Sequence, residues 1–141
     1  MNTDLCFNLA LRKSSRLITQ FYEERLSEAG LKVGQFSILR AVYFSKQTTN
    51  KELQAILVLD QTTLSRNLKP LLRDKFLQQQ QAPEDARLKL ISLTASGKKL
   101  YAQADPIWRD AQKQLLKKIG SEDASNILRV ADALAHALGE G

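Results

Sequence analysis

The chain has 141 residues, of which 43% are hydrophobic, and this composition suits one globular domain with a buried core. No apolar run approaches the roughly 20 residues that a membrane-spanning helix needs, and the N-terminus lacks the basic and apolar regions of a secretion signal. A single cysteine cannot form an internal disulfide, so we expect a cytoplasmic protein.

The net charge of +6 is concentrated in the middle of the sequence. Residues 32–99 contain 12 Lys and Arg against 5 Asp and Glu, whereas the rest of the chain has 9 against 10. A basic central module between near-neutral flanks points to a polyanionic partner such as nucleic acid. A modestly basic protein without such a partner would have the same net charge, so the positions of the cations must be judged together with the predicted elements.

Apolar periodicity and capping residues predict three helices in the first part of the chain. The first covers about residues 5–29, with N-cap candidates at residues 2–4 and Gly30 as a left-handed C-cap. Its apolar side chains spread over more than one face, so more than one face must be buried. The second and third predicted helices cover about residues 34–44 and 50–57.

A fourth helix is predicted to follow Asp60, a good N-cap residue, and to end near Arg73. Its leucines recur at the i, i+4, i+7 and i+8 positions of one apolar face. The opposite face presents hydroxyls, amides and cations, which match the base edges and phosphates of a DNA major groove. We therefore take these polar residues as DNA-binding candidates: Gln61, Thr62, Thr63, Ser65, Arg66, Lys69 and Arg73. The alternative is an ordinary solvated face, and Pro70 is expected to bend the helix.

The third and fourth helices are separated by about three residues, which favours a helix-turn-helix. Residues 77–81 and 87–93 have strand character around a turn at 82–86, and they predict a β-hairpin. Two long helices follow, capped by Thr94 and Ser121, and Pro106 is expected to bend the first of them. A helix-turn-helix followed by a hairpin is a winged helix, so the predicted fold is mainly α with a small β-hairpin wing.

The predicted winged helix, about residues 32–99 of a single domain, leaves three helices outside the module. These helices, about residues 5–29 and 95–138, have apolar faces that the module cannot cover. Burial against a second copy is the simplest solution, and most such assemblies have two-fold symmetry. A two-fold homodimer would present two recognition helices to one side of a double-stranded DNA.

Three segments of the chain resemble the multiple antibiotic resistance regulator (MarR) family, and the resemblance extends over about residues 6–138. They are LDQTTLSRNLKPLLRD at Leu59–Asp74, PEDARLKLISLTASGKKL at Pro83–Leu100, and Gly30-Leu31 leading to Gln35-Phe36. The wing signature of the family has an acidic residue, an arginine two residues later, a hydrophobic strand and Leu-Thr-x-x-Gly. The matching residues are Asp85, Arg87, Leu93, Thr94 and Gly97.

The resemblance implies a homodimeric, sequence-specific transcription regulator, expected to be a repressor, on a near-palindromic operator. It implies that Arg87 enters the minor groove, where negative potential is concentrated, and that Asp85 braces it. Two positions depart from the family. The fourth helix ends in Asp74-Lys75-Phe76-Leu77 without the usual glycine, so one of these residues must take a left-handed conformation. Lys32 stands where the family often has threonine, which weakens the start of the second helix.

The family also implies release from DNA by a small, often aromatic or phenolic ligand bound between the dimerisation helices and the winged helix. The residues available for such a pocket are Phe7, Leu11, Arg16, Phe21, Tyr22, Phe36, Leu39 and Tyr43. Aromatic rings would bury the body of an aromatic acid, and Arg16 would pair with its carboxylate. The alternative is that these residues simply fill the core.

Catalytic chemistry finds little support in the sequence. No Gly-rich phosphate loop and no metal-spaced cluster of Cys, His and acidic residues is present, so we predict no enzyme, cofactor or metal. We take His136, the only histidine, as a packing or surface residue.

Cys6 is the exception, because the Leu-Cys-Phe tripeptide resembles the organic-hydroperoxide-sensing branch of the family. Sensing needs a thiolate, which a helix N-terminus favours. Alignment of the first helix with that branch, however, puts the sensing cysteine at Asn8. Two alternatives to a ligand-released repressor therefore remain: a thiol-based redox regulator that uses Cys6, and a dimeric adaptor whose winged helix binds protein.

Overall fold

The computed structural model describes residues 5–139, so the predicted N-caps at residues 2–4 lie outside the described part. The predicted order of elements is confirmed, and the ends of the helices differ from the prediction by three residues or fewer. The elements are α1 (Phe7–Leu26), α2 (Val33–Ser45), α3 (Asn50–Leu57), α4 (Gln61–Arg73), β1 (Leu77–Ala82), β2 (Asp85–Leu93), α5 (Ala95–Ile119) and α6 (Ser121–Leu138). A 3-10 turn at Ser27–Ala29 separates the end of α1 from Gly30, which has a φ of 72° as predicted for a left-handed cap.

The residues form two compact units, and the boundary falls inside α5 between Trp108 and Arg109. The hydrophobic core of the first unit takes side chains from α1 to α4, from both strands and from the start of α5. In α4 the buried leucines are Leu64, Leu68 and Leu71, which confirms its predicted apolar face. The second unit contains the end of α5 and α6, and no helix among residues 5–139 is long and apolar enough to cross a membrane.

The start of α2 is stabilised by side chains other than that of its N-cap residue, Lys32. Lysine cannot accept a hydrogen bond, so it leaves the first amides of the helix without a capping oxygen. The Gln35 Oε1 accepts the Lys32 N–H at 3.0 Å, and the Glu23 Oε1 of α1 accepts the Val33 N–H at 3.3 Å. These two acceptors compensate for the departure at Lys32 that the sequence indicated.

The wing is an antiparallel hairpin whose strands are longer than predicted. Its register runs from Leu77↔Leu93 to Gln81↔Lys89, and the pairing shifts between Gln81 and Ala82. The predicted turn at residues 82–86 was therefore too long, because only Pro83 and Glu84 lie between the strands. The wing is also joined to the segment between α2 and α3, since Thr48 and Ile91 exchange backbone hydrogen bonds of 3.0 and 2.7 Å.

The Leu-Thr-x-x-Gly signature connects the end of α4 with the start of α5. The Thr94 hydroxyl donates to the Lys75 carbonyl at 2.6 Å and accepts the Gly97 N–H at 3.0 Å. A Cβ on Gly97 would lie 1.9 Å from the Phe76 carbonyl oxygen, so only glycine fits there. Lys75 has a φ of 62°, which confirms that a residue after α4 is left-handed.

Capping of the last helix differs from the prediction. Gly120, with a φ of 87°, is the N-cap of α6 and makes no side-chain cap bond, so the predicted Ser121 cap was wrong. Glu122 and Asp123 lie in the first turn, where their negative charges interact favourably with the positive N-terminal end of the helix dipole. Helices α4 and α5 continue through Pro70 and Pro106, and the bends expected there stay predictions.

Candidate nucleic-acid interface

Two side-chain caps fix the starts of α3 and α4, and α4 is the predicted recognition helix. The Thr49 Oγ1 accepts the Glu52 N–H at 3.2 Å at the start of α3, and the Asp60 Oδ1 accepts the Thr63 N–H at 2.7 Å at the start of α4. The hydrogen bonds from Thr63 lower the pKa of the Asp60 carboxyl. Between the caps, Val58 has a φ of 51°, an uncommon conformation for a β-branched residue.

The predicted polar front of α4 is exposed along its length, while its leucines are buried. Six of the seven candidates are exposed: Gln61, Thr62, Ser65, Arg66, Lys69 and Arg73. Thr63 is half-buried, and its carbonyl accepts a hydrogen bond from the Asn67 side chain at 3.2 Å. Because the core fixes the back of α4, its hydroxyls, amides and cations can meet a partner without any rearrangement of the helix.

Arg73 and Asp74 form an ion pair at the end of the recognition helix. The Arg73 Nε lies 3.1 Å from one Asp74 carboxylate oxygen, and Nη2 lies 3.2 Å from the other. This pair lowers the pKa of Asp74 and raises that of Arg73. The arginine is thus partly neutralised, whereas Arg66 and Lys69 are exposed in the middle of the face.

Three side chains near the start of α4 form a hydrogen-bonded chain that the sequence did not reveal. The Gln54 Nε2 of α3 donates to the Gln61 Oε1 at 2.6 Å. The Gln61 Nε2 donates to the Ser65 Oγ at 3.1 Å. We predicted Gln61 and Ser65 from the polar face of α4, but Gln54 was missed because its position depends on how the two helices pack.

The wing presents an arginine that is held by one neighbour. The Arg87 side chain is 93% exposed, and its Nε lies 3.4 Å from the Asp85 Oδ1. The same carboxylate oxygen accepts the Arg87 backbone N–H at 3.0 Å. The contact that the wing signature implied between these two residues is therefore present, and the guanidinium faces solvent.

A cavity of about 690 Å³ lies within the first unit, among α1, α2, α3 and α5. Its lining includes Tyr22, Phe36, Ser37, Arg40, Phe44 and Trp108. The Arg40 Cζ lies 5.0 Å from the ring centroid of Phe44 and 4.9 Å from that of Trp108, within the range of cation–π attraction. The cavity combines aromatic walls with one cation.

The structure does not bring together the eight residues predicted for a ligand pocket. Tyr22 and Phe36 line the cavity, but the other six do not: Phe7, Leu11, Arg16, Phe21, Leu39 and Tyr43. Phe7, Leu11 and Arg16 are exposed on α1, and Leu39 is fully buried in the core. The prediction counted apolar and basic residues without the packing of α2 against α5, and it therefore missed Arg40 and Trp108.

Phe21 and Tyr43 have other aromatic or cationic neighbours. The Arg25 Cζ lies 3.6 Å from the Phe21 ring centroid, and the Tyr43 ring stacks on Tyr101 at a centroid distance of 4.5 Å.

Cys6 and His136 stand at opposite ends of the described chain. Cys6 is exposed at the N-cap of α1 and makes no side-chain cap bond there. His136 is exposed in the last turn of α6. Within residues 5–139, no group of three or more His, Cys, Asp and Glu side chains is arranged to hold a metal ion.

Comparison with known proteins identifies the family. The MarR family model matches residues 31–89, from just before α2 into β2. The uncharacterised HTH-type transcriptional regulator YwoH of Bacillus subtilis (strain 168) is 30% identical over 113 residues, which cover 80% of this chain and 82% of that protein.

Two solved structures show the same fold in the presence of DNA. The M. tuberculosis transcriptional regulator MOSR in complex with DNA has a TM-score of 0.75 and 32% identity, and the match covers 91% of this chain and 97% of that one. A mutant MarR from E. coli complexed with operator DNA has a TM-score of 0.81 at 20% identity, over 90% of this chain and 91% of that one. The chain belongs to the MarR family of winged-helix transcription regulators, which are DNA-binding proteins and not enzymes.

Proposed function

We propose that this protein binds a near-palindromic DNA operator as a homodimer and represses transcription. The observation that carries the proposal is the recognition helix, whose buried leucines fix an exposed face of amides, hydroxyls and cations. Relatives of the same fold have been solved with DNA. The relative YwoH is a protein of Bacillus subtilis, whose DNA lies in the cytoplasm, and we propose the same location for this protein.

Each candidate residue has a role that follows from its chemistry. Gln61, Thr62 and Ser65 lie in the first half of α4 and would contact base edges in the major groove. Arg66 and Lys69 would bind phosphates and fix the register of the helix. Arg87 would enter the minor groove beside the phosphate backbone, held by Asp85. Thr63 and Arg73, which have partners within the chain, would bind the flanking backbone.

The proposal is tested by the salt dependence of DNA binding. Removal of one phosphate-binding cation reduces the slope of log affinity against log salt by about 0.9. Because both protomers of the dimer carry the substitutions, the double variant Arg66→Ala/Lys69→Ala removes four cations from the complex and should lower the slope by roughly 3.6. Lys117→Ala/Lys118→Ala, which removes two cations from α5, should leave the slope unchanged. Absence of salt-dependent binding to duplex DNA in the unmodified protein would contradict the proposal and favour a protein-binding adaptor.

Homodimer formation is supported by apolar side chains that stand exposed on the outer helices. In the first unit Phe7 is 87% exposed and Leu17 is 69% exposed on α1. In the second unit Leu128 is 66% exposed and Leu138 is 78% exposed on α6. A second copy would remove this area from water, at a gain of about 25 cal/mol for each Å².

Release by a small aromatic acid is supported by the cavity lined by Phe36, Phe44 and Trp108. The rings would bury the body of the ligand, and Arg40 would pair with its carboxylate. A ligand can release DNA only by binding more tightly to a dimer geometry whose recognition helices are wrongly spaced. Titration of salicylate against the protein–DNA complex tests this. Arg40→Met should abolish release, whereas Arg16→Met should not.

A thiol switch is the second candidate, because Cys6 is exposed at the start of α1. An exposed thiolate could be oxidised by a hydroperoxide to a sulfenic acid, with the peroxide reduced to an alcohol or water. Peroxide would then release DNA from the unmodified protein and not from Cys6→Ser. Release by salicylate that persists in Cys6→Ser would favour the cavity instead.

A further inference from the structure

Gln61 is the first residue of the recognition helix, and both polar atoms of its side chain are engaged within the protein. Its Oε1 accepts a hydrogen bond from the Gln54 Nε2 at 2.6 Å. Its Nε2 donates to the Ser65 Oγ at 3.1 Å. A glutamine on an exposed helix face ordinarily samples several rotamers, so these two bonds restrict the amide to one orientation.

Gln54 is itself well placed to act as a support. It lies in the last turn of α3 and is half-buried. Its backbone carbonyl accepts the N–H of Leu59 at 3.0 Å and that of Val58, which has a left-handed φ of 51°. The root of the Gln54 side chain is therefore fixed by the turn between α3 and α4.

The orientation of a glutamine amide decides which bases it can read. A primary amide has two acceptor lone pairs on oxygen and two N–H donors. In Gln61 one lone pair and one N–H are used internally, so one of each stays free on adjacent atoms. This remaining pair matches the N6–H donor and N7 acceptor that adenine presents in the major groove.

We propose that Gln54 is a positioning residue which orients the Gln61 amide and thereby sets a preference for adenine at one position of each operator half-site. Gln54 acts through Gln61 and need not touch DNA. The inference rests on the proposed function, because it requires that α4 reads a major groove.

The two hydrogen bonds predict how substitutions at position 54 will differ. Gln54→Met keeps the length of the side chain but removes its donor, so the Gln61 amide is no longer oriented. Gln54→Glu offers only acceptors, so the Gln61 amide must turn its Nε2 toward position 54. The donor and acceptor that Gln61 presents to DNA then exchange places. Gln54→Lys offers only donors and preserves the observed orientation.

The experiment is selection of bound sequences from a random DNA pool with each full-length variant, with melting temperatures as a check of folding. Gln61→Ala first identifies the operator position that Gln61 reads. At that position, discrimination in favour of adenine should fall about 10-fold in Gln54→Met, the scale of one bidentate contact. Gln54→Glu should move the preference to another base, and Gln54→Lys should retain adenine.

The outcomes separate the two proposals. If the unmodified protein selects a motif but all position-54 variants select the same base with unchanged discrimination, the role of Gln54 is overturned and the proposed function stands. A uniform loss of affinity for all sequences would likewise reduce Gln54 to a structural residue. If the unmodified protein selects no motif at all, the proposed function itself fails.

Discussion

Arg87 and Asp85 form an exposed pair, and such pairs contribute little to folding. The Arg87 side chain is 93% exposed, and Asp85 is its one salt-bridge partner among residues 5–139. Removal of this arginine should therefore lower the affinity for DNA and leave the folding stability unchanged.

We expect Arg87→Ala to weaken DNA binding by roughly 1–3 kcal/mol for each half-site, the scale of one specific contact. The melting temperature should stay unchanged. Arg129→Ala, on α6, is the control and should bind like the unmodified protein. Gel-shift affinity and melting would be measured together, and an unchanged affinity in Arg87→Ala would remove this residue from the interface.

The Asp60 cap makes the start of the recognition helix sensitive to acid. Its pKa is lower in the folded protein than in the unfolded chain, because the carboxylate accepts the Thr63 N–H. The charged cap therefore contributes stability above the unfolded pKa of about 3.9, and this contribution is lost as the pH falls toward the folded pKa.

Asp60→Asn keeps a capping oxygen but cannot titrate, so it should remove this part of the pH dependence. Urea unfolding at pH 7 and at about pH 3 measures the effect. The unmodified protein should lose more stability between the two pH values than Asp60→Asn does. Equal losses of stability in the two proteins would show that protonation of Asp60 is not linked to folding.

At the scale of the elements, the sequence predicted all six helices and the wing, because each has its own periodicity and several have capping residues that act locally. Asp60, Thr94 and Gly30 act within one turn of the helix end that they mark. The Thr48–Ile91 bridge and the two-residue turn of the wing were not predicted, since they depend on how distant segments meet. The cavity was missed for the same reason.

Lys75 occupies the left-handed position that ends the recognition helix, with a φ of 62°. A non-glycine residue in this conformation lowers the stability of the folded state by roughly 1–2 kcal/mol. Glycine avoids most of this strain, but it loses more conformational entropy on folding, which offsets part of the gain. We expect Lys75→Gly to stabilise the protein by up to about 1 kcal/mol. Lys99→Gly, at a helical position in α5, should instead destabilise it by about 1 kcal/mol.

Equilibrium unfolding in urea measures both variants of this pair. A decrease in stability of Lys75→Gly comparable to that of Lys99→Gly would mean that the left-handed conformation at position 75 carries no strain.

At the scale of the whole molecule, the family could be predicted from the sequence more fully than the cavity. The exposed polar face of α4 follows from a single helical period, and the exposed Arg87 follows from a short motif in the wing. The cavity depends on the relative placement of four helices, so the sequence alone did not reveal that Arg40 lines it and that Arg16 does not. Gln54 belongs to the same class, because its contact crosses from one helix to the next.

We expect a dimer at micromolar concentration, because of the exposed apolar side chains on α1 and α6. Light scattering should give about twice the 15.9 kDa mass of one chain. Leu128→Glu, which buries a charge if α6 lies in the interface, should lower the mass toward that of one chain. Leu88→Glu, on the wing, should not. A mass near 15.9 kDa at every concentration would contradict a dimer.

Selection of bound sequences from a random pool of duplex DNA tests the central claim most directly. A two-fold dimer that reads DNA through α4 should enrich one half-site in two inverted copies. Their centres should lie about one helical turn apart, roughly 34 Å or 10 base pairs. No enriched motif, or a motif without inverted symmetry, would contradict the account.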